Sequence, residues 1–299
     1  MKKGNSLKSR EKSRLNFSVL MAAKNSQATI GLAVRSTLLA LSNDDELLVF
    51  LDGCQDDTRL ILNRIKDPRL KVHGSQVSIG RSAARNFLSL KAKGACFAVL
   101  DSDDVSLPWR FLMTRRLLRK YDAVFGAAFL FGDLPYRMPI ALTYPLRLST
   151  DLAPAVLSYR NPFVHSTSAF KKDLVTPGKL YEEVVAEEYL LWIQMALAGF
   201  RLHRTPLPLI GYRLHAGQIS RSEDFYPKGE ACAVLNEARD RLVSILQESY
   251  GDETRSLGRE DDSLRELARR HSLGVRLEET LLTRLRAFAK KLLFWRDPF

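Results

Sequence analysis

Residues 96–104 read Cys-Phe-Ala-Val-Leu-Asp-Ser-Asp-Asp, an apolar run followed at once by three carboxylates in four positions. A short run that is apolar on both faces suits a strand covered on two sides, as in the parallel layer of an α/β protein. In such layers ligands collect beyond the carboxyl ends of the strands, so Asp101, Asp103 and Asp104 stand where a substrate would arrive. Unpaired carboxylates repel one another, and a hard divalent cation with oxygen ligands relieves them. Mg²⁺ or Mn²⁺ on one or two of them would clamp a diphosphate. The competing reading is an acidic turn capping a helix that starts near Pro108.

Upstream of this motif the pattern alternates strands and helices. Phe17 to Ala23 reads as a first strand, and Ile30, Val34, Leu38 and Leu41 repeat at helical spacing behind Asn25 and Thr29. Leu47 to Leu51 is a second strand, Thr58 to Ile65 a helix, Leu70 to His73 a short strand and Ser82 to Ala92 a helix. This half is an α/β, nucleotide-binding type of layer with a parallel sheet. Downstream come one more helix, a strand around Ala123 to Phe131, and loops with short helices from Leu134 to Pro162. Val184 to Ala198 reads as a helix closed by Gly199 in a left-handed cap. The organisation is a basic tail (1–16), an α/β region and a charged, helical, basic region (223–299).

The 299 residues are 45% apolar, which supports a folded chain and excludes disorder as the dominant state. No run reaches the roughly 18 apolar residues of a membrane-spanning helix. Three cysteines at wide spacing, Cys54, Cys96 and Cys232, suggest neither a disulfide framework nor a thiolate zinc site. The seven residues from Phe17 suit a strand better than a signal-peptide core, so the cytoplasm is the expected address. The net charge of +12 invites nucleic acid, an anionic membrane or phosphorylated small molecules, but no nucleic-acid-binding motif accompanies it.

Further groups fall at the same edge of the layer. Asp52 follows the second strand and can accept from a base N–H or a ribose hydroxyl, whereas Asp56 and Asp57 suit the cap of the next helix. Arg81 and Arg85, one turn apart, share a helix face that needs an anion or acid opposite, or else stands in solvent. Glu187 and Glu188 open an apolar helix, where acids favour the dipole and where a fixed carboxylate can also serve as a general base. His215 lies in a loop-like segment, Tyr212 to His215, where a lone histidine is more often structural than a ligand.

In this order the segments Ser18 to Asn25, Leu51-Asp52-Gly53 with Asp57-Thr58, Gly80 to Asn86, Leu100 to Asp104, Glu187 to Trp192 and Tyr212 to His215 resemble the inverting family 2 glycosyltransferases of the GT-A fold, over residues 17–222. The resemblance implies an α/β GT-A nucleotide-binding sheet flanked by helices, with a helical C-terminal extension. It implies that the backbone near Ala22 with Asp52 and Arg85 holds the base of a nucleotide sugar, and that Asp101 and Asp103 form an Asp-x-Asp motif. Asp101 would lie nearer the ribose, and Asp103 would hold the metal. It places Glu188 as catalytic base, where relatives usually have Asp and where Glu187 is the alternative, Trp192 as a family aromatic, and His215 near the metal or diphosphate. Ala22 and Lys24 stand where relatives commonly have Pro and Tyr, and Leu51-Asp52 where they often have paired Asp.

The implied partners are a nucleotide-sugar donor and a glycan or lipid-linked acceptor, with Mg²⁺ or Mn²⁺ as cofactor and no nucleic acid. Leu281, Leu285, Phe288, Leu292 and Trp295, interleaved with Arg284, Arg286, Lys290, Lys291 and Arg296, form a basic amphipathic pattern. Residues 279–299 therefore either contact the inner face of an anionic membrane or pack on the catalytic domain. Two rivals remain at this level. One is a haloacid-dehalogenase-type phosphatase with Asp101 as nucleophile, and the other a scaffold of the same fold that binds a nucleotide sugar or glycan without turnover.

Overall fold

The computed structural model describes residues 15–133, 141–143, 147–215, 218 and 225–254. Strands β1 (Phe17–Ala23), β2 (Glu46–Asp52), β3 (Leu70–Ser75) and β4 (Cys96–Val99) alternate with helices α1 (Ile30–Ala40), α2 (Thr58–Asn63) and α3 (Arg81–Lys91). All four strands pair in parallel, in the order β3-β2-β1-β4. Their alternation explains the layering. Phe17, Val19 and Met21 of β1 enter one apolar cluster with α1 and α4 (Arg110–Leu118), while Leu20 enters the other with α3 and α6 (Glu187–Leu197). Both faces are dry, so these strands needed to be apolar throughout.

Beyond β4 the sheet changes character. It continues β8 (Ala169–Lys171), β6 (Ala123–Gly132), β9 (Leu202–Leu214) and β5 (Val105–Ser106), with β7 (Ala141–Thr143) on the side of β6. β8 is antiparallel to both β4 and β6, so the sheet is mixed rather than parallel throughout. Strand β9 corrects the sequence reading most. Tyr212 to Leu214 was expected in a loop, yet they close a 13-residue strand paired in parallel with β6. Pro206 and Pro208 disguise it. They are accommodated because the register slips between Phe125 and Ala128, and Gly126 leaves room there: a Cβ on it would lie 2.4 Å from Leu209 Cγ.

Helix α6 starts at Glu187 rather than Val184, because Ala186 takes a left-handed φ of 60° at its N-cap. Gly199 closes it with φ +77°, as expected. Trp192 on α6 is fully buried, edge-on to Phe125 with ring centres 4.8 Å apart. Within 223–299, residues 225–254 form α7 (Phe225–Glu230) and α8 (Ala233–Thr254). Leu235, Leu242 and Leu246 of α8 join the same cluster as Trp192, and Arg239 Nε donates to the Ser158 carbonyl at 3.2 Å, just past α5 (Ala153–Leu157). The amphipathic stretch 279–299 lies outside the described residues. Among the described residues no helix is long and apolar enough to cross a membrane.

Candidate active site

The carboxyl ends of β1, β2 and β4 gather most of the expected groups. Asp101 follows β4 by one residue, and its two oxygens are engaged on opposite sides. Oδ1 accepts from Arg85 Nη2 at 2.7 Å and Oδ2 from Ser166 Oγ at 2.9 Å, while His165 Nδ1 lies 3.8 Å away. Burial works against its charge, but Arg85 above all, then His165 and Ser166, hold the carboxyl far below the usual range.

Asp103 Oδ2 and His215 Nε2 are 2.9 Å apart, and both side chains are partly open to solvent. Burial and then the charge of Asp101 push the Asp103 carboxyl up, against the hydrogen bond to His215. Asp104 is buried and pushed well above its ordinary value by burial and by both neighbouring acids. Its Oδ1 accepts from the Arg213 backbone N–H at 2.9 Å, and Arg213 Nε donates to the Asp103 carbonyl at 2.9 Å. The end of β9 is thereby stapled to the acidic loop, which carries His215 to Asp103. Arg110, buried behind Asp104 with Nη2 on the Val99 carbonyl at 2.6 Å, is lowered to about 9 by burial, against the charges of Asp104 and Asp101.

A divalent metal suits this donor set: a carboxylate oxygen and an imidazole nitrogen side by side, with the ionised Asp101 raising the Asp103 carboxyl. Among the described residues no three His, Cys, Asp or Glu side chains converge as a metal cage. Mg²⁺ is commonly bound by one or two carboxylates and completes its shell with substrate phosphate and water, so such a site does not require a protein cage.

The two adjacent acids of α6 have different environments. Glu187 is buried and paired on both oxygens: Arg81 Nη2 donates to Oε2 at 2.6 Å and Arg85 Nη1 to Oε1 at 2.9 Å, with Arg81 Nε in ion-pair contact 2.6 Å from Oε1. The two arginines of α3, whose partner the sequence left open, therefore face this acid, and Arg85 bridges it to Asp101. Glu188 is half-buried and makes no side-chain ion pair among the described residues. Burial and the charge of Glu187 push its carboxyl up, opposed by His165 and Arg81.

Asp52 ends β2, and its carboxylate takes Ser78 Oγ (2.8 Å), Ile79 N (2.6 Å) and Gly80 N (3.2 Å). It braces the loop before α3, with a remaining lone pair for a ligand. Gly53, at φ +65°, lets that loop close in, since a Cβ there would meet Ser78 N at 2.6 Å. Ala22, half-buried in β1, pairs with Phe50, and Lys24 Nζ reaches Ser78 Oγ at 3.1 Å. Asp56 caps α2, accepting from Thr58 N at 3.1 Å, while Asp57 at the N-cap position makes no side-chain cap bond.

Three contributors escaped the sequence reading. His165 and Ser166 sit on a single 3-10 turn, His165–Thr167, and Tyr181 OH meets His165 Nε2 at 3.1 Å, with the Arg85 guanidinium 5.5 Å from the Tyr181 ring centre. Their one trace in sequence is His165-Ser-Thr-Ser168, polar residues leading into an apolar strand; Ser166, Thr167 and Ser168 are all fully buried. A concavity of about 280 Å³ at the opposite, amino ends of the strands is lined by Asn16, Asp45, Glu46 and Lys93. Its acids serve the frame: Asp45 pairs with Arg115 at 2.8 Å and Glu46 accepts from Ser18 Oγ at 2.6 Å.

Residues 18–175 match the family model of glycosyl transferase family 2. The chain is 26% identical over 212 residues to WfaP of Escherichia coli, a UDP-Glc:alpha-D-GlcNAc-diphosphoundecaprenol beta-1,3-glucosyltransferase, covering 69% of this chain and 80% of that one. It is 27% identical over 216 residues to WbnJ of the same species, an O-antigen biosynthesis glycosyltransferase, covering 69% and 82%. In fold it resembles Staphylococcus aureus TarS in complex with UDP-GlcNAc, with a TM-score of 0.61, 18% identity, and 79% and 73% of the two chains covered.

Proposed function

The chain belongs to glycosyltransferase family 2, and from that membership we propose that it moves a sugar from a nucleotide-diphospho-sugar, with a UDP-sugar as the first donor to test, onto a hydroxyl of a glycan or lipid-linked acceptor, with metal assistance and inversion at the anomeric carbon. The fold is GT-A, as the resemblance implied, and the protein is a glycosyltransferase of glycan assembly. Membership sets the phosphatase alternative aside.

One observation carries the mechanism. Among the described acids at the carboxyl edge, Asp101 and Glu187 pair with arginines, Asp103 with His215, Asp52 is held by the loop before α3 and Asp104 is buried beneath the acidic loop, whereas Glu188 is half-buried on a helix and makes no ion pair. A raised carboxyl suits general-base work near neutrality. Glu188 takes the proton of the acceptor hydroxyl while that oxygen attacks the anomeric carbon, and the nucleoside diphosphate leaves from the opposite face. Asp103 and His215 would hold a divalent metal, which would supply charge stabilisation for the departing diphosphate. Asp52 and the loop it braces, with the backbone at Ala22, receive the base. Arg85 is buried against Asp101 and Glu187, so its contribution to the donor runs through the carboxylate of Asp101.

The test is transfer from UDP-sugars to a diphospholipid-linked sugar acceptor with Mn²⁺, with NMR of the new linkage. Inverted product formed only with divalent metal supports the proposal. Retention of configuration, or equal turnover in EDTA, refutes it.

A further inference from the structure

We infer that Glu187 is a positioning residue: it clamps the first turn of α6 to Arg81 and Arg85 of α3 and so delivers Glu188, the next residue, unbonded to the cleft. The inference rests on Glu188 being the base.

Glu187 accepts a charge-assisted hydrogen bond on each oxygen, from Arg81 Nη2 on Oε2 and Arg85 Nη1 on Oε1, and Arg81 Nε adds an ion-pair contact 2.6 Å from Oε1. Such bonds are much more than a helix-dipole preference requires. The backbone immediately before supplies the second observation. Ala186 at the N-cap sits at φ 60°, ψ 45°, and makes no side-chain cap bond. A left-handed alanine costs about 1–2 kcal/mol and persists only where its surroundings over-determine it. The clamp supplies that constraint, because α6 must start abruptly at residue 187 for Glu187 to reach back to α3.

The clamp also sets the field at Glu188. The groups facing that carboxyl are Glu187 on its own helix, Arg81 and Arg85 on α3, His165 on the 3-10 turn, and Tyr181. Glu187 favours the protonated form of its neighbour, and Arg81 favours the ionised form. The two clamp partners therefore act on the base with opposite signs, which a purely structural brace would not do.

The experiment is the pH profile of transfer kcat/KM for Glu187→Gln, Glu187→Asp and Arg81→Gln, with Glu188→Gln as control. Removing the negative charge in Glu187→Gln moves the acid limb to lower pH by about one unit. Arg81→Gln moves it to higher pH. Glu187→Asp keeps the charge, so its limb stays while kcat falls by about tenfold to a hundredfold from misplacement of α6. Limbs that remain in place in both Glu187→Gln and Arg81→Gln, or that shift together, overturn the inference. Should Glu187→Gln fail to fold, the direction of the Arg81→Gln shift decides, since that side chain is a third exposed. Full turnover in Glu188→Gln would instead sink the base assignment itself, whatever the clamp variants do.

Discussion

Replacing Glu188 by Gln keeps the shape of the side chain and removes its ability to accept a proton. General-base catalysis contributes typically about 10²–10⁴-fold, or about 2.7–5.4 kcal/mol at about 1.36 kcal/mol per tenfold. The structure argues for the upper part of that range, because no neighbour is placed to substitute. Glu187 is paired on both oxygens with arginines, Asp101 is held ionised between Arg85 and Ser166, and His165 Nε2 is engaged by Tyr181 OH. Donor binding should survive, since Glu188 bonds to none of the groups assigned to the donor. The assay is nucleoside diphosphate release with and without acceptor, beside donor affinity by calorimetry. We expect transfer kcat to fall by about 10³-fold or more, donor Kd to stay within about threefold, and formate to restore part of the rate in the smaller variant Glu188→Ala. In the native enzyme the acid limb of kcat/KM should lie above the ordinary glutamate value, because burial and Glu187 raise the carboxyl and activity requires its ionised form. A Glu188→Gln enzyme within tenfold of native would refute the reasoning.

Other outcomes follow from the same geometry. Asp103→Asn should move the Mn²⁺ midpoint of activity upward by at least about tenfold, since loss even of a partner one shell out typically costs 10–100-fold; an unchanged midpoint would remove Asp103 from the metal. Asp52→Asn places an amide donor against the donors of Ser78 and Gly80, leaving groups unpaired at about 1–3 kcal/mol. Hydrogen exchange at 78–80 should quicken and donor KM rise, whereas unchanged exchange would show that the loop is held otherwise. Gly126→Ala drives a methyl to 2.4 Å from Leu209 Cγ and 3.0 Å from the Leu207 carbonyl. Overpacking of about 1–3 kcal/mol should lower Tm by several degrees, and a Tm equal to native would mean that β9 yields freely at the slip.

The parts of the fold legible in sequence are those whose physics is local. β1, β2 and β4 are apolar on both faces because helices cover both, so runs such as Cys96 to Leu100 declare themselves. β8 has three residues, too few for any period, and it is a strand because β4 and β6 flank it. β9 carries two prolines that argue against a strand, and only the facing slip at Gly126 makes them tolerable. Helix α6 begins three residues late because Ala186 takes a left-handed backbone that nothing in alanine's own propensity announces.

The site divides on the same line. Asp101, Asp103, Glu188 and His215 could be singled out because their chemistry is visible in residue type and position. What each does depends on partners that no spacing encodes. Two adjacent glutamates look interchangeable until α3 places two arginines against one of them, 102 and 106 positions away in sequence. Those arginines share a helix face with an unfavourable like charge, a conflict that needs an acid from elsewhere. The local defect in α3 and the local ambiguity in α6 therefore resolve each other: the acid that neutralises the arginines is engaged by them, and its neighbour is the one proposed as base. The same logic explains Asp101, which shares Arg85 with Glu187, so that one guanidinium joins the acidic loop after β4 to the first turn of α6.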